Sequence, residues 1–106
     1  MKRIAYHKLV RDKIPQIVET SGRKPVVQII EPAKKLHFLE EKLKEELAEY
    51  LESHASEELA DILEVMHGIA DCMGTSWEEL EQIRVQKKQE RGGFDDGILL
   101  MEIIEP

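Results

Sequence analysis

Leu36-His-Phe-Leu-Glu-Glu-Lys-Leu-Lys-Glu-Glu-Leu-Ala-Glu-Tyr-Leu-Glu52, the break Ser53-His-Ala-Ser56, and Glu57-Glu-Leu-Ala-Asp-Ile-Leu-Glu-Val-Met-His-Gly-Ile-Ala-Asp-Cys-Met73 decide the fold. In the first stretch Leu36, Leu39, Leu43, Leu47, Tyr50 and Leu51 recur at helical spacing, which predicts a helix from about Ala33 to Glu52 with one apolar stripe. The break is so short that the chain must return antiparallel. Ser56 has the chemistry of an N-cap, and Glu57 and Glu58 suit the positive end of a second helix. That helix carries Leu59, Ile62, Leu63, Met66, Ile69, Ala70 and Met73 and is expected to stop near Gly74.

Further along, Ser76-Trp-Glu-Glu79 is a capping box opening a third long helix, which Gly92-Gly93 ends. Toward the start, Pro15 suits the first turn of a short helix closing before Gly22. Pro25-Val-Val-Gln-Ile-Ile-Glu31 and Ile98-Leu-Leu-Met-Glu-Ile-Ile104 are rich in β-branched or aliphatic residues, and we expect them to pair as a short β-ribbon over 25–31 and 98–104. No repeat, low-complexity tract or long linker divides the chain. The expectation is an all-α single domain over residues 1–106, an antiparallel helical bundle with a modest core that association through an apolar helix face would extend.

Several function classes are excluded at this stage. No run approaches the roughly 20 apolar residues needed to cross a bilayer. The charged start has no apolar run behind it, so no signal peptide is expected and the default is a cytoplasmic protein. Cys72 is the sole cysteine, which excludes an internal disulfide and a cysteine-rich zinc site. The net charge of −7, without interleaved bases and aromatics, speaks against a nucleic-acid polymer as partner.

That charge is unevenly spread. Residues 40–64 hold ten acids against Lys42 and Lys44, and residues 1–24 hold seven bases against Asp12 and Glu19. At about 100° per residue, Glu46 and Glu49 fall on one flank of the first stripe, and Glu58 and Asp61 fall at the same offset beside the second. Antiparallel helices facing stripe to stripe bring those flanks to the same side, with 46 level with 61 and 49 level with 58. Glu-Glu-x-x-Glu alone is most often a solvated face; the matched second pair sets this one apart. Converged carboxylates repel unless a cation binds or some protonate. An all-oxygen set suits Mg²⁺ or Mn²⁺ rather than zinc. His7, His37, His54 and His67 show no ligand spacing and read as surface or boundary residues.

The last helix has its own oddity. Its inward line runs Leu80, Ile83, Lys87, Arg91, so long cations replace aliphatics at steps of four. They either face an anion or snorkel at a helix C-terminus, where the dipole favours them.

Lys42-Leu-Lys-Glu-Glu-Leu-Ala-Glu49 followed by Glu58-Leu-Ala-Asp61 resembles the EExxE…ExxD signature of the all-α nucleotide pyrophosphohydrolases, the superfamily of MazG-type enzymes, dimeric dUTPases and phosphoribosyl-ATP pyrophosphohydrolase. Tyr6-His-Lys-Leu-Val-Arg-Asp-Lys-Ile-Pro15 and Lys88-Gln-Glu-Arg-Gly-Gly-Phe94 look like a small MazG-like, phosphoribosyl-ATP pyrophosphohydrolase-like branch. One departure is the interval of eight residues between Glu49 and Glu58, shorter than is usual in MazG.

The resemblance implies a Mg²⁺-dependent hydrolase that cleaves a nucleoside triphosphate, standard or non-standard, to monophosphate and pyrophosphate. It implies Glu46, Glu49, Glu58 and Asp61 as metal ligands. Glu45 is implied as a helper that orients or deprotonates the attacking water, although its angle points away from the patch. Lys8, Arg11, Lys13, Lys87, Lys88 and Arg91 are implied as phosphate contacts. A homodimer or tetramer with sites near the subunit boundary is implied as well. Two alternatives stand beside this reading: the phosphoribosyl-ATP hydrolysis of histidine biosynthesis, and a non-catalytic helical module that binds nucleotide or is purely structural. Phe38, Trp77 and Phe94 read first as packing residues, with stacking on a base as the alternative.

Overall fold

The aliphatic spacing of residues 36–73 produces helices where it predicts them. A computed structural model, which describes residues 2–106, contains α1 (Ile14–Thr20), α2 (Pro32–Ser53), α3 (Ser56–Cys72) and α4 (Trp77–Arg91). Pro15 and Pro32 both lie in first turns, where a missing N–H goes unnoticed. His54 ends α2 in the left-handed region at φ 54°, and its amide donates to the Tyr50 carbonyl. The cap of α3 departs from expectation: Ala55 takes the position and Ser56 is already helical. The Ser53 hydroxyl instead accepts from the Ala55 amide, which tightens the turn. At α4 the capping is as read, with the Ser76 Oγ accepting from the Glu79 amide at 3.1 Å.

The all-α class stands, and the ribbon does not. Among the described residues there is no strand; 25–31 and 98–104 run as irregular backbone, with Val26, Ile29, Ile98 and Ile104 exposed. A two-stranded ribbon is marginal without a covered face, and β-branched composition alone cannot supply one.

The chain divides into two compact units, Met1–Thr75 and Ser76–Pro106. Within the first, α2 and α3 pack on each other as the expected antiparallel hairpin. Its buried apolar residues are Leu39, Val65 and Ala70. The register is fixed by a close approach: a Cβ placed on Gly68 would stand 3.0 Å from Leu39 Cδ2. The rotation about the helix axes differs from stripe-to-stripe packing. Val65, outside the predicted stripe, is 8% exposed, while Leu51 is 60% and Leu59 50% exposed. Glu46 takes a place in the seam instead, at 7% exposure. The second unit is α4 and its tail, where Arg84 pairs with Glu81 one turn away and holds that carboxyl below the usual range. Among the described residues no helix is long and apolar enough to cross a membrane.

Candidate metal centre

Because the hairpin seam runs through Glu46, acids from both helices meet there. Carboxylate oxygens of Glu46, Glu58 and Asp61 lie within 4.8 Å of one another, and so do those of Glu45, Glu46 and Glu49. The two triads share Glu46, so α2 and α3 contribute five acids to one cluster. The four expected ligands are therefore brought together in two overlapping groups. Glu45, whose angle points away from the patch, nonetheless reaches it.

The electrostatics follow from that crowding. Glu46 has its carboxyl raised above the ordinary 4.5, first by burial, then by its contact with Glu49 and the negative charges of Glu49 and Asp61; Lys42 works the other way. Glu58 is raised too, by partial burial and then by Glu49, Asp61 and Glu57. A contact between two carboxyls is a hydrogen bond only while one of them holds a proton. Glu46 Oε2 is fully buried and has no hydrogen-bond partner. A buried acceptor left this way is unfavourable unless a positive group completes it.

Three cations answer part of the charge. Lys42 Nζ stands 3.7 Å from Glu45 Oε1 and 3.6 Å from Glu46 Oε1, one helical turn below each. Lys8 Nζ donates to Glu45 Oε1 at 3.3 Å. The Arg11 guanidinium donates to Asp61 Oδ1 at 2.6 Å. Lys42 carries no site role in the sequence pattern alone, although its steps of three and four to Glu45 and Glu46 are the signal that finds it.

Of the six basic residues the resemblance points to, Lys8 and Arg11 reach the cluster. Lys13 caps α1, its carbonyl accepting from the Ile17 amide. Lys87, Lys88 and Arg91 are exposed on α4 in the second unit, with Lys88 and Arg91 in its last turn, where cations suit the dipole. Beside Glu45, an open hollow of about 600 Å³ is lined by Tyr6, Lys8, Phe38, Lys42 and Lys44 among others. Phe38 thus lies at the cluster's edge, whereas Phe94 is exposed in the second unit.

The residues fit a hard divalent cation. The donors are all carboxylate oxygens, no histidine or cysteine joins either triad, and the buried Glu46 Oε2 has no hydrogen-bond partner. No protein-family model, curated protein or solved structure matches the chain.

Proposed function

We propose that the chain is a Mg²⁺-dependent nucleotide pyrophosphohydrolase, Mn²⁺ serving as well, that cleaves a nucleoside triphosphate, standard or non-standard, to monophosphate and pyrophosphate. The observation that carries this reading is the buried, unpartnered Oε2 of Glu46 between carboxylates of two helices. Glu46, Glu49, Glu58 and Asp61 are the residues to hold the cation. When bound, it neutralises phosphate charge as the phosphoanhydride bond breaks.

The chain's own groups supply the rest. Lys8, Lys42 and Lys44 line the hollow beside Glu45 and offer ammonium groups to a polyphosphate, while Tyr6 and Phe38 offer ring faces to a base. Glu45 is the group to orient, or take a proton from, the attacking water. Lys8 and Lys42 share its Oε1, so a substrate phosphate that draws both lysines away frees that oxygen for the task. The apolar faces left open on α2 and α3 support a homodimer as the working unit.

The test is a screen of standard and modified nucleotides, with phosphoribosyl-ATP included, reading pyrophosphate release with Mg²⁺ and with EDTA. Expected is Mg²⁺-dependent release that Glu46→Gln and Asp61→Asn abolish. Release that persists in both variants removes the carboxylates from the chemistry. Binding of a non-hydrolysable triphosphate, without turnover of any nucleotide, makes the chain a sensor.

A further inference from the structure

The bases facing the acidic cluster sit on two kinds of element. Lys42 belongs to α2 itself and stays within one turn of Glu45 and Glu46 whatever its rotamer. Lys8 and Arg11 are carried by residues 2–11, which form neither helix nor strand, and they reach Glu45 and Asp61 across 37 and 50 residues of sequence. His7, directly before Lys8, has φ 49°, in the left-handed region that is uncommon for residues with a Cβ, although histidine enters it more often than most, and it turns the segment there. Tyr6, His7, Lys8 and Leu9 form one side of the hollow whose other side is α2. The segment is therefore pinned at two ion pairs, bent between them and the start, and part of the wall of the candidate substrate site.

Arg11 engages an oxygen of Asp61, a member of the Glu46–Glu58–Asp61 triad. A divalent cation coordinates carboxylate oxygen at about 2.0–2.6 Å, so a cation at that triad and the Arg11 guanidinium would stand as close like charges. We infer that residues 6–11 form a counter-ion strap: Arg11 and a divalent cation compete for Asp61, and loading the cluster frees the strap and turns its guanidinium toward an anionic substrate in the hollow. This rests on the metal-site reading above and adds its regulation. The cation then both completes the site and releases Arg11 to it, while Lys42 remains to hold Glu45 and Glu46 in place.

The experiment is calorimetric titration of Mg²⁺ alone, without nucleotide, into the full chain and its Arg11→Gln and Arg11→Lys variants. Amide spectra of the wild type are followed over the same titration. Expected is tighter Mg²⁺ binding in Arg11→Gln by about fivefold, the scale of losing a partly exposed ion pair, with Arg11→Lys in between. Amide signals of residues 6–12 move with the same midpoint as the heat. Wild-type binding with unchanged or weaker affinity in Arg11→Gln overturns the strap and leaves the metal site standing. So does movement confined to residues 45–61, a readout that holds even if a variant fails to fold. Absence of heat and of any shift in the wild type removes the metal site, and the strap with it.

Discussion

Glu46 and Asp61 come from antiparallel helices, yet a carboxylate oxygen of each lies within 4.8 Å of the other, and Asp61 helps to raise the Glu46 carboxyl above its ordinary value. Such an arrangement favours cation binding and disfavours the fold without a cation, so Glu46→Gln should move the two in opposite directions. In EDTA the variant is expected to be more stable than the wild type, because it removes one of several like charges crowded at a buried position. In excess Mg²⁺ the wild type should gain melting temperature and the variant should not. Thermal unfolding of both proteins in both buffers checks this. A wild type that melts identically in EDTA and Mg²⁺ rejects it.

The pH dependence has a definite sign. Glu46 and Glu58 both titrate above the ordinary 4.5 in the folded chain, so between that value and their raised ones the folded state binds more protons than the unfolded state. Stability in EDTA therefore falls as pH rises through that window and is regained on acidification. The groups facing them are Glu49 and Lys42 from α2, and Glu57 and Asp61 from α3, with Arg11 on Asp61. Urea unfolding in steps from neutral pH down to about 4.5 should show the gain, and Glu46→Gln/Glu58→Gln should flatten it. With Mg²⁺ present the slope should reverse, because protons and cation compete for the same oxygens. A wild type in EDTA that loses stability steadily over this range contradicts the raised carboxyls.

The register of this site is legible in the sequence because two rigid periods and a short break leave little freedom. The levels that pair 46 with 61 and 49 with 58 also set Leu39 against Gly68, where the Leu39 side chain fills the space a Cβ would take. Rotation about the axes is not legible. The α2 stripe is wide enough to be buried along either edge, and the chain buries the edge with Leu39 and Glu46 while Leu47 and Leu51 stay out. Lys8 and Arg11 read only as charges, since their partners lie 37 and 50 residues away and irregular backbone has no periodicity to place it. The terminal aliphatic segments mislead for a related reason: a strand is made by its partner, and composition names none.

Gly68 gives a direct test of the hairpin contact. In an exposed helix interior, Gly→Ala gains about 1 kcal/mol. Here the new methyl group would meet Leu39 Cδ2 at 3.0 Å and Cδ1 at 3.3 Å, and Leu39 is buried. Gly68→Ala is therefore expected to gain less than about half of that amount, and Gly68→Val to lose about 2 kcal/mol as the helices are forced apart. Urea unfolding at fixed protein concentration measures both. A full gain for alanine shows that Leu39 does not press on this position.

The exposed faces make the last prediction. Leu47, Leu51, Leu59, Leu63 and Met66 are all more than a third exposed on the two helices of the hairpin, and positions 47 and 51, like 59, 63 and 66, share a face at helical spacing. Covering half of a leucine side chain is favourable by about 1 kcal/mol, so a symmetric pair of such faces gains enough to associate, because each residue counts twice. The wild type should sediment at a multiple of its 12.3 kDa mass, with a melting temperature that rises with concentration. Leu51→Glu and Leu63→Glu should return it to one chain and lower the melting temperature, since each places a charge where the partner's aliphatics would lie. Both positions lie away from the seam, so helical content should persist in the variants. A wild type that stays at a single-chain mass as its concentration rises a hundredfold, about 2.7 kcal/mol of mass action, would leave these leucines facing water by choice of the fold.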